Sequence, residues 1–373
     1  MSGAEPGGID AAPHRCRGCG QGPLIRVLDL GKMPAADDFP SLDAASGATE
    51  AAHPLAMDLC ARCGLAQLAE DDTVTAEPRG VEPRALRDQA ADAVARVAAG
   101  GWLPGGGGTV REFGSPHGGS WLPLLTERGY APIEGPADVV IDCFGIMHEP
   151  DQRAAFARRA AALAPGGVLL LQFHSLHAIV RHGQWNALRH GHFAYYSMDA
   201  ARTLLRSAGL AAVTAWEFDL YGGTVLVAAV RAPADADPVI ARISAAEAAV
   251  ADPEAVRELQ HAADHQARSL RTWLEAELGS GRTVYAYGAA SRAVSLLHLA
   301  GAHRGLLAGV ADASPGKQGR RMPGTDIPII SPAELVAAQP DRVLLTLPDL
   351  LPEVSSRWPE LDGKWVIDVR ESL

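Results

Sequence analysis

Short apolar runs alternate with helix-like spacings along residues 109–232. Apolar runs of four to eight residues between turn signals are typical of buried strands, and apolar residues three or four apart are typical of helices with one packed face. The alternation predicts an α/β domain on a mainly parallel sheet that is covered on both faces. The predicted strands are 109–113, 139–144, 168–173 and 223–230, and the predicted helices between them include 152–163 and 198–208.

A second α/β pattern follows a long Ala-, Glu- and Arg-rich stretch with helical spacing, residues 238–279. Its strand and helix signals alternate again, which predicts a C-terminal Rossmann-like domain with a sheet of its own. The predicted strands are 283–287, 307–311, 342–346 and one near 365–369, and the predicted helices are 290–300 and 332–338. Residues 328–330 are predicted to form a strand or a turn.

Composition divides the chain into five segments. Before the first α/β domain, residues 85–99 have helical spacing and residues 100–108 are rich in glycine, which is typical of a loop. We predict a disordered tail (1–12), a zinc-binding module (13–74), an α/β domain (75–235), a helical connector (236–280) and a second α/β domain (281–373).

Charge and hydropathy narrow the class of protein. The chain has 33 Lys and Arg against 44 Asp and Glu, a formal charge of −11, which opposes non-specific nucleic-acid binding. No apolar stretch reaches the ~18–20 residues of a membrane helix, and the first residues lack the basic and apolar regions of a signal peptide. We therefore expect a cytoplasmic enzyme without nucleic-acid or membrane partners, and its oligomeric state stays open.

Four of the five cysteines form two C-x-x-C pairs about forty residues apart. Each pair places two thiolates on one side of a tight turn, and two such turns complete a tetrahedron around zinc. With four thiolates there is no open coordination position, so the zinc is expected to be structural and to contribute to folding. The alternative is a set of unrelated buried or redox cysteines. The pairs are Cys16 with Cys19 and Cys60 with Cys63, while Cys143 lies in a strand pattern and is predicted to be a core residue.

A glycine loop follows the first predicted strand of the middle domain. Residues 110–121 read V-R-E-F-G-S-P-H-G-G-S-W and run from a strand towards a helix. Glycines in that place let the backbone approach a nucleotide in Rossmann-like folds. Glycine-rich loops also occur without any ligand, so the motif by itself leaves the assignment open.

Histidines are dense around predicted strand ends. His190 and His192 precede a helix for which Ser197 is a plausible N-cap. His148 follows the strand 139–144, at the end where α/β sheets bind ligands. His174, His177 and His182 lie between these two places. The cluster suggests acid–base chemistry near neutral pH, although each histidine taken alone is as readily an ordinary side chain.

Together these motifs resemble the sugar C-methyltransferases that act on nucleotide-linked 4-keto-6-deoxyhexoses. The resemblance covers nearly the whole chain and is most specific in its C-terminal part. The matching segments are the two cysteine pairs with D-L-G-x-x-P at 29–34, the cofactor loop at 112–118, H-x-H-x-x-Y-Y-S at 190–197, G-G-T at 222–224, Y-G-A at 287–289, D-A-S-P-G-K-Q-G at 312–319 and P-G-T-D-I-P-I at 323–329.

The resemblance implies a fold, two cofactors and a set of site residues. The fold is a zinc-ribbon-like module, a class I methyltransferase-like Rossmann domain and a second Rossmann-like domain. The substrate is a dTDP-linked keto-deoxysugar of an antibiotic-type deoxysugar pathway, and S-adenosylmethionine is the methyl donor. His192 corresponds to the base that removes the proton next to the ketone, and His148 is expected to donate a hydrogen bond to the enolate. The cofactor residues implied are Glu112, Gly114, His117, Gly118 and Glu134.

The methyl-donor region departs from the family pattern. Residues 115–137 alone separate Gly114 from Asp138, fewer than the ~30 of a strand–helix–strand unit. One helix within 120–128 and one extended piece at 130–133 fit there, and Glu134 is the acidic residue available for the cofactor ribose. Other positions also differ. Residues 116–117 are P-H where the family has N-D, Arg189 stands where the family has a tyrosine or a similar polar residue before the histidine segment, and Gly191 replaces the glutamate of that segment. Tyr221 replaces the histidine of the family's H-G-G-S turn, and residues 71–110 contain no counterpart of the family's tyrosine.

These departures leave several functions open. The first is a shortened methyltransferase that deprotonates the keto sugar and methylates C3. The second is an enzyme that keeps enolisation without methyl transfer, as a C3 epimerase or isomerase, or an NADPH-dependent ketoreductase. The third is a non-catalytic scaffold, for which His148 and His192 would be dispensable. We expect S-adenosylmethionine to bind weakly or not at all.

Overall fold

Three β-sheets organise the part of the chain that the structure describes. This is a computed structural model, and it describes residues 15–42, 50–71, 73, 82–103, 105–115 and 119–369. The predicted tail at 1–12 and the predicted cofactor residues His117 and Gly118 lie outside them. In chain order the strands are β1 (Leu24–Pro34), β2 (Ala52–Cys60), β3 (Ala66–Leu68), β4 (Gly108–Phe113), β5 (Tyr130–Pro132), β6 (Ala137–Cys143), β7 (Leu163–His174), β8 (Ala194–Tyr195), β9 (Leu210–Phe218), β10 (Thr224–Arg231), β11 (Val284–Tyr287), β12 (Val310–Ala311), β13 (Ile329–Ile330), β14 (Arg342–Leu345) and β15 (Trp365–Val366).

The α-helices connect these strands or link the domains. Among the described residues, none of them is both long enough and apolar enough to cross a bilayer. In chain order they are α1 (Arg84–Ala99), α2 (Leu122–Thr126), α3 (Gln152–Ala161), α4 (Leu176–Arg181), α5 (Met198–Ser207), α6 (Pro238–Ala246), α7 (Pro253–Gly279), α8 (Ser291–Leu299), α9 (Pro332–Ala337) and α10 (Leu351–Arg357).

The first sheet is antiparallel, with the strand order β1-β2-β3-β8. Its first three strands come from the cysteine-rich module, for which the sequence pattern predicted no particular strands. Its fourth strand, β8, belongs to the histidine segment some 130 residues further along the chain. Ala66 is paired with Tyr195 and Gln67 with Ala194. The cysteine-rich module is therefore joined to the middle domain by backbone hydrogen bonds, which the sequence pattern did not indicate.

The middle sheet has the order β5-β4-β6-β7-β10-β9. The first four strands are parallel, as predicted, and β10 runs antiparallel to both β7 and β9. Strand β9 lies in a stretch for which no strand was predicted. Only the short helix α2 and the three-residue strand β5 lie between β4 and β6. The sheet therefore ends at β5, which agrees with the shortage of residues noted in the sequence.

Strand β5 stops before the carboxyl end of its neighbour β4. Val110 is level with Pro132 on one side and with Val139 on the other. Residues 133–136 consequently cross β4 in the middle of that strand. Glu134 lies in this crossing and is exposed, away from the edge at which β4 enters the glycine loop.

The third sheet is wholly parallel, with the order β13-β12-β11-β14-β15. Numbered from β11 this is the order 3-2-1-4-5 of a doubly wound fold, in which ligands bind where the strand order reverses, between β11 and β14. The predicted strands at 307–311 and 365–369 are shorter in the structure, because only the last two residues of the first and the first two residues of the second pair with neighbouring strands.

The helical connector is two helices instead of the single stretch expected at 238–279. Each begins with an aspartate followed by proline, the arrangement in which the side chain accepts an orphan backbone N–H and proline needs none. Asp237 accepts a hydrogen bond from the Val239 N–H and Asp252 from the Glu254 N–H, both at 3.0 Å. These aspartates explain why the helical spacing is interrupted.

Candidate functional site

A cavity of about 290 Å³ lies between the middle domain and the C-terminal domain. The middle domain contributes the loops after β6 and β7 and the segment before β8. The C-terminal domain contributes the loops that follow β11, β12 and β14, at the reversal point of its sheet. Helix α1 and the end of the glycine loop close another side. The volume is near the lower end of the range for small-molecule sites.

The cavity brings His148 and His192 into contact. Their ring centroids are 4.3 Å apart and their planes are at 82°. The Nδ1 atom of His148 is 3.0 Å from the Gly191 carbonyl oxygen. Because a carbonyl only accepts, His148 carries a proton on Nδ1, and its Nε2 is an acceptor when the ring is neutral. His148 therefore donates a hydrogen bond from Nε2 only as an imidazolium.

The ring of His192 is held by Arg189. The Arg189 Nε–H donates to His192 Nε2 at 2.8 Å, so a neutral His192 is protonated on Nδ1. The same guanidinium contacts the Ser291 hydroxyl at the first residue of α8. One side chain thus connects the predicted base with the C-terminal domain across the cavity.

Backbone contacts fix the segment that carries His192. We call residues 188–193 the histidine loop. The Gly191 N–H donates to Asp71 of the cysteine-rich module at 2.7 Å, and the Phe193 N–H donates to the Met147 carbonyl, next to His148, at 2.7 Å. Gly191 has φ +76°, a conformation in which glycine is favoured. Glycine rather than glutamate at this position is thus explained by the backbone.

A buried ion pair fixes the turn that carries His148. Asp142, at the end of β6, accepts hydrogen bonds from the N–H groups of Gly145 and Ile146 and from Arg159 Nε at 2.8 Å. Burial raises the pKa of Asp142, and Arg159 opposes this rise. Because both side chains are almost fully buried, loss of either partner would leave an uncompensated charge in the core.

The remaining histidines of the cluster have different surroundings. His190 is buried against the cysteine-rich module, with Nε2 3.0 Å from the Pro54 carbonyl oxygen, and is not part of the cavity wall. His177 and His182 lie on α4 and at its end, also outside the wall. His174 does line the cavity, and its Nδ1 is 3.3 Å from Arg292 Nη2. Burial, with a smaller effect of Arg292, lowers the pKa of His174 well below its usual value.

Two guanidinium groups share the cavity wall. Arg292 follows Ser291 in the first turn of α8. Burial, followed by the positive charge of Arg189, lowers the pKa of Arg292 to about 10. Two desolvated cations beside each other favour an anionic ligand, and guanidinium groups match phosphate geometry. Sequence analysis did not select these arginines for binding, since their convergence depends on how the two domains meet.

Two aromatic residues in the wall have left-handed backbones. Phe144 has φ 61° and Tyr221 has φ 56°, which is unusual for bulky residues and concentrates at functional sites. Their ring centroids are 6.3 Å apart, and Arg292 lies over the Tyr221 ring at 5.4 Å. Cys143, predicted to be a core residue, ends β6 and also lines the cavity, where its thiol donates to Gln172 at 3.2 Å.

The described residues at the end of the glycine loop, 119–121, and Ser115 form another part of the cavity wall. Glu112 accepts hydrogen bonds from the Ser120 hydroxyl at 2.5 Å and the Trp121 N–H at 2.6 Å, so it fastens the end of this loop. Gly114 lies at the start of the loop and is exposed. Neither Glu112, Gly114 nor Glu134 lines the cavity.

A different carboxylate does line this wall. Glu82, just before α1, lies against Gly119, where an added Cβ would meet its Oε1 at 3.0 Å. Glu82, and not Glu134, is thus the carboxylate beside the end of the glycine loop that lines the cavity. Glu82 carries no sequence signal, since it lies outside the glycine motif.

The four cysteines of the first module converge as predicted. Their sulfur atoms all lie within 4.8 Å of one another, with 3.5 Å between Cys16 and Cys63 and 3.7 Å between Cys19 and Cys60. Thiolates on a tetrahedral zinc at ~2.3 Å are about 3.8 Å apart, so the cluster fits a zinc ion. The hydrogen bond from Cys63 lowers the pKa of Cys16 to about 5, and a thiolate is the form that binds metal.

Comparison with known proteins gives two family matches. Residues 16–77 match a zinc binding domain, and residues 219–369 match a C-methyltransferase C-terminal domain. The chain is also 26% identical to the C-methyltransferase NovU of Streptomyces niveus over 412 aligned positions, which cover 95% of each chain. Together these matches support a sugar C-methyltransferase family for the chain. It is an enzyme of the C-methyltransferase kind.

Solved methyltransferase structures also match part of this C-methyltransferase. The magnesium protoporphyrin IX methyltransferase of Synechocystis PCC 6803 is 17% identical, with 42% of this chain and 90% of that chain covered and a TM-score of 0.30. The mitomycin 7-O-methyltransferase MmcR is 19% identical, with 40% and 56% covered and a TM-score of 0.31.

Proposed function

We propose that this C-methyltransferase removes a proton next to the ketone of a dTDP-linked 4-keto-6-deoxyhexose and methylates C3. The observation that carries the proposal is the shared cavity, which contains the His148–His192 pair on one side and the Arg189–Arg292 pair on another. A nucleotide-linked keto sugar has matching parts, an acidic C–H bond beside a carbonyl and a diphosphate.

The diphosphate is assigned to the first turn of α8. The helix begins at Ser291 after Ala290, which provides no side-chain cap. Ala290, Ser291 and Arg292 all line the cavity, and an uncapped helix N-terminus and a guanidinium group both favour an anion. Binding of the nucleotide at this remote position orients the sugar towards the histidines.

His192 is proposed as the general base and His148 as the electrophile. The C3 proton moves to the imidazole of His192, and the electron pair of the C–H bond forms an enolate with the carbonyl. A protonated His148 donates a hydrogen bond from Nε2 to the enolate oxygen, since its Nδ1–H already donates a hydrogen bond to the Gly191 carbonyl oxygen. The nucleophilic carbon C3 is then the atom that a bound S-adenosylmethionine would methylate, with S-adenosylhomocysteine as the leaving group.

S-adenosylmethionine, when bound, supplies an electrophilic methyl group. Glu82 is proposed to accept hydrogen bonds from the ribose hydroxyls of this donor, because Glu82 lines the cavity. Glu134 does not line it and is exposed in the crossing over β4. The end of the glycine loop provides backbone groups on the same wall. Zinc at the cysteine cluster is proposed to be structural, because four thiolates leave no open position.

The decisive experiment follows solvent deuterium and methyl transfer together. The wild type, incubated in D₂O with dTDP-4-keto-6-deoxyglucose, is expected to introduce deuterium at C3, and to form the C3-methyl product when S-adenosylmethionine is added. His192→Asn is expected to lose ~10²–10⁴-fold in exchange rate, whereas the control His177→Asn, outside the cavity, should keep it.

Each other outcome has a definite meaning. Exchange without methyl transfer at any donor concentration would make the enzyme an epimerase or isomerase. Loss of exchange in His148→Asn but not in His192→Asn would reverse the two roles. Absence of exchange in the wild type would reject the proposed chemistry.

A further inference from the structure

Arg189 donates a hydrogen bond to His192 Nε2, the nitrogen atom that can act as the base in the proposed reaction. For His192 to act as a base through Nε2, that nitrogen must carry a lone pair directed at the substrate. The Arg189 Nε–H occupies this lone pair at 2.8 Å. The hydrogen bond has two effects, because it selects the tautomer with the proton on Nδ1 and at the same time covers the basic nitrogen.

The other end of the same guanidinium lies at the proposed diphosphate position. Arg189 contacts the Ser291 hydroxyl at the beginning of α8, next to Arg292. The two guanidinium groups repel each other, since the charge of Arg189 is one cause of the lowered pKa of Arg292. An anion placed between them removes this repulsion and offers Arg189 a stronger partner than a neutral imidazole.

We propose that Arg189 is a positioning residue that couples diphosphate binding to the release of the base. In the free enzyme it fixes His192 as the Nδ1–H tautomer and covers Nε2. When the diphosphate binds at α8, the guanidinium transfers its hydrogen bond from His192 to a phosphate oxygen. His192 Nε2 is then uncovered in the tautomer that accepts the substrate proton.

This inference rests on the proposed function and concerns the regulation of its base. It explains why arginine occupies position 189. The Tyr195 hydroxyl accepts a hydrogen bond from the Arg189 N–H at 3.3 Å, so the backbone stays anchored when the side chain moves. Lysine at this position would supply a point charge without the flat set of donors that reaches His192 and Ser291 together.

Nitrogen NMR of the whole enzyme tests the coupling without turnover. Histidine side chains are labelled with ¹⁵N, and His192 is assigned by the loss of its signals in His192→Asn. Wild-type His192 should be a single Nδ1–H tautomer with a hydrogen-bonded Nε2. Addition of thymidine diphosphate should change the Nε2 resonance to that of a free acceptor.

Two variants complete the test. Arg189→Gln should give a mixture of tautomers, no response of Nε2 to thymidine diphosphate, and an exchange rate at C3 at least about tenfold lower. Arg189→Lys should restore little of that rate. The control Arg181→Gln removes an exposed arginine on α4 and should leave the His192 signals as in the wild type.

The results separate this inference from the proposed function. Identical His192 signals in the wild type and Arg189→Gln, with or without thymidine diphosphate, would overturn the coupling even if the wild type exchanges deuterium at C3. A wild type that shows the Nε2 response but exchanges no deuterium would support the coupling and reject the proposed reaction.

Discussion

At the scale of single residues, the two cavity histidines differ in what their ring nitrogens contact. His148 gives its Nδ1 proton to a backbone carbonyl, whereas His192 accepts from a guanidinium at Nε2. Both neutral rings carry their proton on Nδ1. His148 can take a second proton on Nε2 and keep its contact with Gly191, whereas protonation of His192 on Nε2 would break its hydrogen bond from Arg189. The sequence placed both histidines at the site, but only the contacts give them separate roles.

A buried carboxylate connects the helical connector to the middle domain. Glu247 accepts a hydrogen bond from the Ser175 hydroxyl at 2.6 Å and another from the Met198 N–H, at the beginning of α5. Burial raises its pKa despite these hydrogen bonds. The folded protein therefore keeps the Glu247 proton to a higher pH than the unfolded chain does.

This rise predicts the direction of a pH effect on stability. Between the ordinary glutamate pKa and the raised one, the folded state binds more protons, so the free energy of unfolding falls as pH rises through this window. Glu247→Gln removes the titration while an amide can still serve both partners. Urea unfolding from about pH 5 to about pH 8 should show the wild type losing stability relative to Glu247→Gln.

The control for this experiment is Glu258→Gln, which changes an exposed glutamate on α7. Its free energy of unfolding should stay parallel to that of the wild type over the same pH range. A constant difference between the wild type and Glu247→Gln would mean that the carboxyl group has the same pKa in both states, contrary to the effect of burial.

At the scale of elements, strand β8 is the link between the cysteine cluster and the histidine loop. It pairs with β3, and β3 follows closely on the second C-x-x-C turn. Asp71, just after β3, also accepts the Gly191 N–H. A metal that stabilises the first sheet would consequently also stabilise the backbone around His192. The zinc that we propose at the cysteine cluster would thus help to hold the proposed base in position.

We predict about one zinc per chain in the purified protein. Removal of zinc with a chelator should lower the melting temperature and also increase amide hydrogen exchange at residues 190–196. Cys60→Ser should reproduce both effects, and Cys143→Ser, which changes the cavity cysteine, should retain the metal. A metal-free protein with unchanged melting and unchanged amide exchange would disprove the structural role.

At the scale of the whole molecule, the site exists only where two domains face each other. The middle domain supplies the histidines and the C-terminal domain supplies Ser291 and Arg292. The middle sheet ends at β5, and Glu134, the acidic residue expected from the sequence to hold the methyl donor, does not line the cavity. We therefore expect the two ligands to bind with unequal strength.

Calorimetry should show this inequality. S-adenosylmethionine alone is expected to bind more weakly than ~1 µM, or ~−8 kcal/mol. Glu82→Gln should weaken it further, and the matched variant Glu134→Gln should not. Tight binding that depends on Glu134 and not on Glu82 would restore the donor contacts implied by the family pattern and remove Glu82 from the site.

The sequence alone was sufficient for the fold class, the order of the domains and the cysteine cluster. These follow from local signals, namely alternating apolar runs, paired C-x-x-C turns and motifs confined to a few neighbouring residues. The shortened edge of the middle sheet was also predictable, because the number of residues between two strands limits how many helices and strands can lie between them.

The tertiary structure decided the rest. The addition of β8 to the first sheet, the contact of Arg189 with both His192 and Ser291, and the position of Glu82 beside Gly119 in the cavity wall all join residues far apart in the chain. Such contacts depend on how domains pack and on which buried polar groups find partners. Local periodicity contains no information on either, and for that reason the chemistry of this site could be read only from the folded molecule.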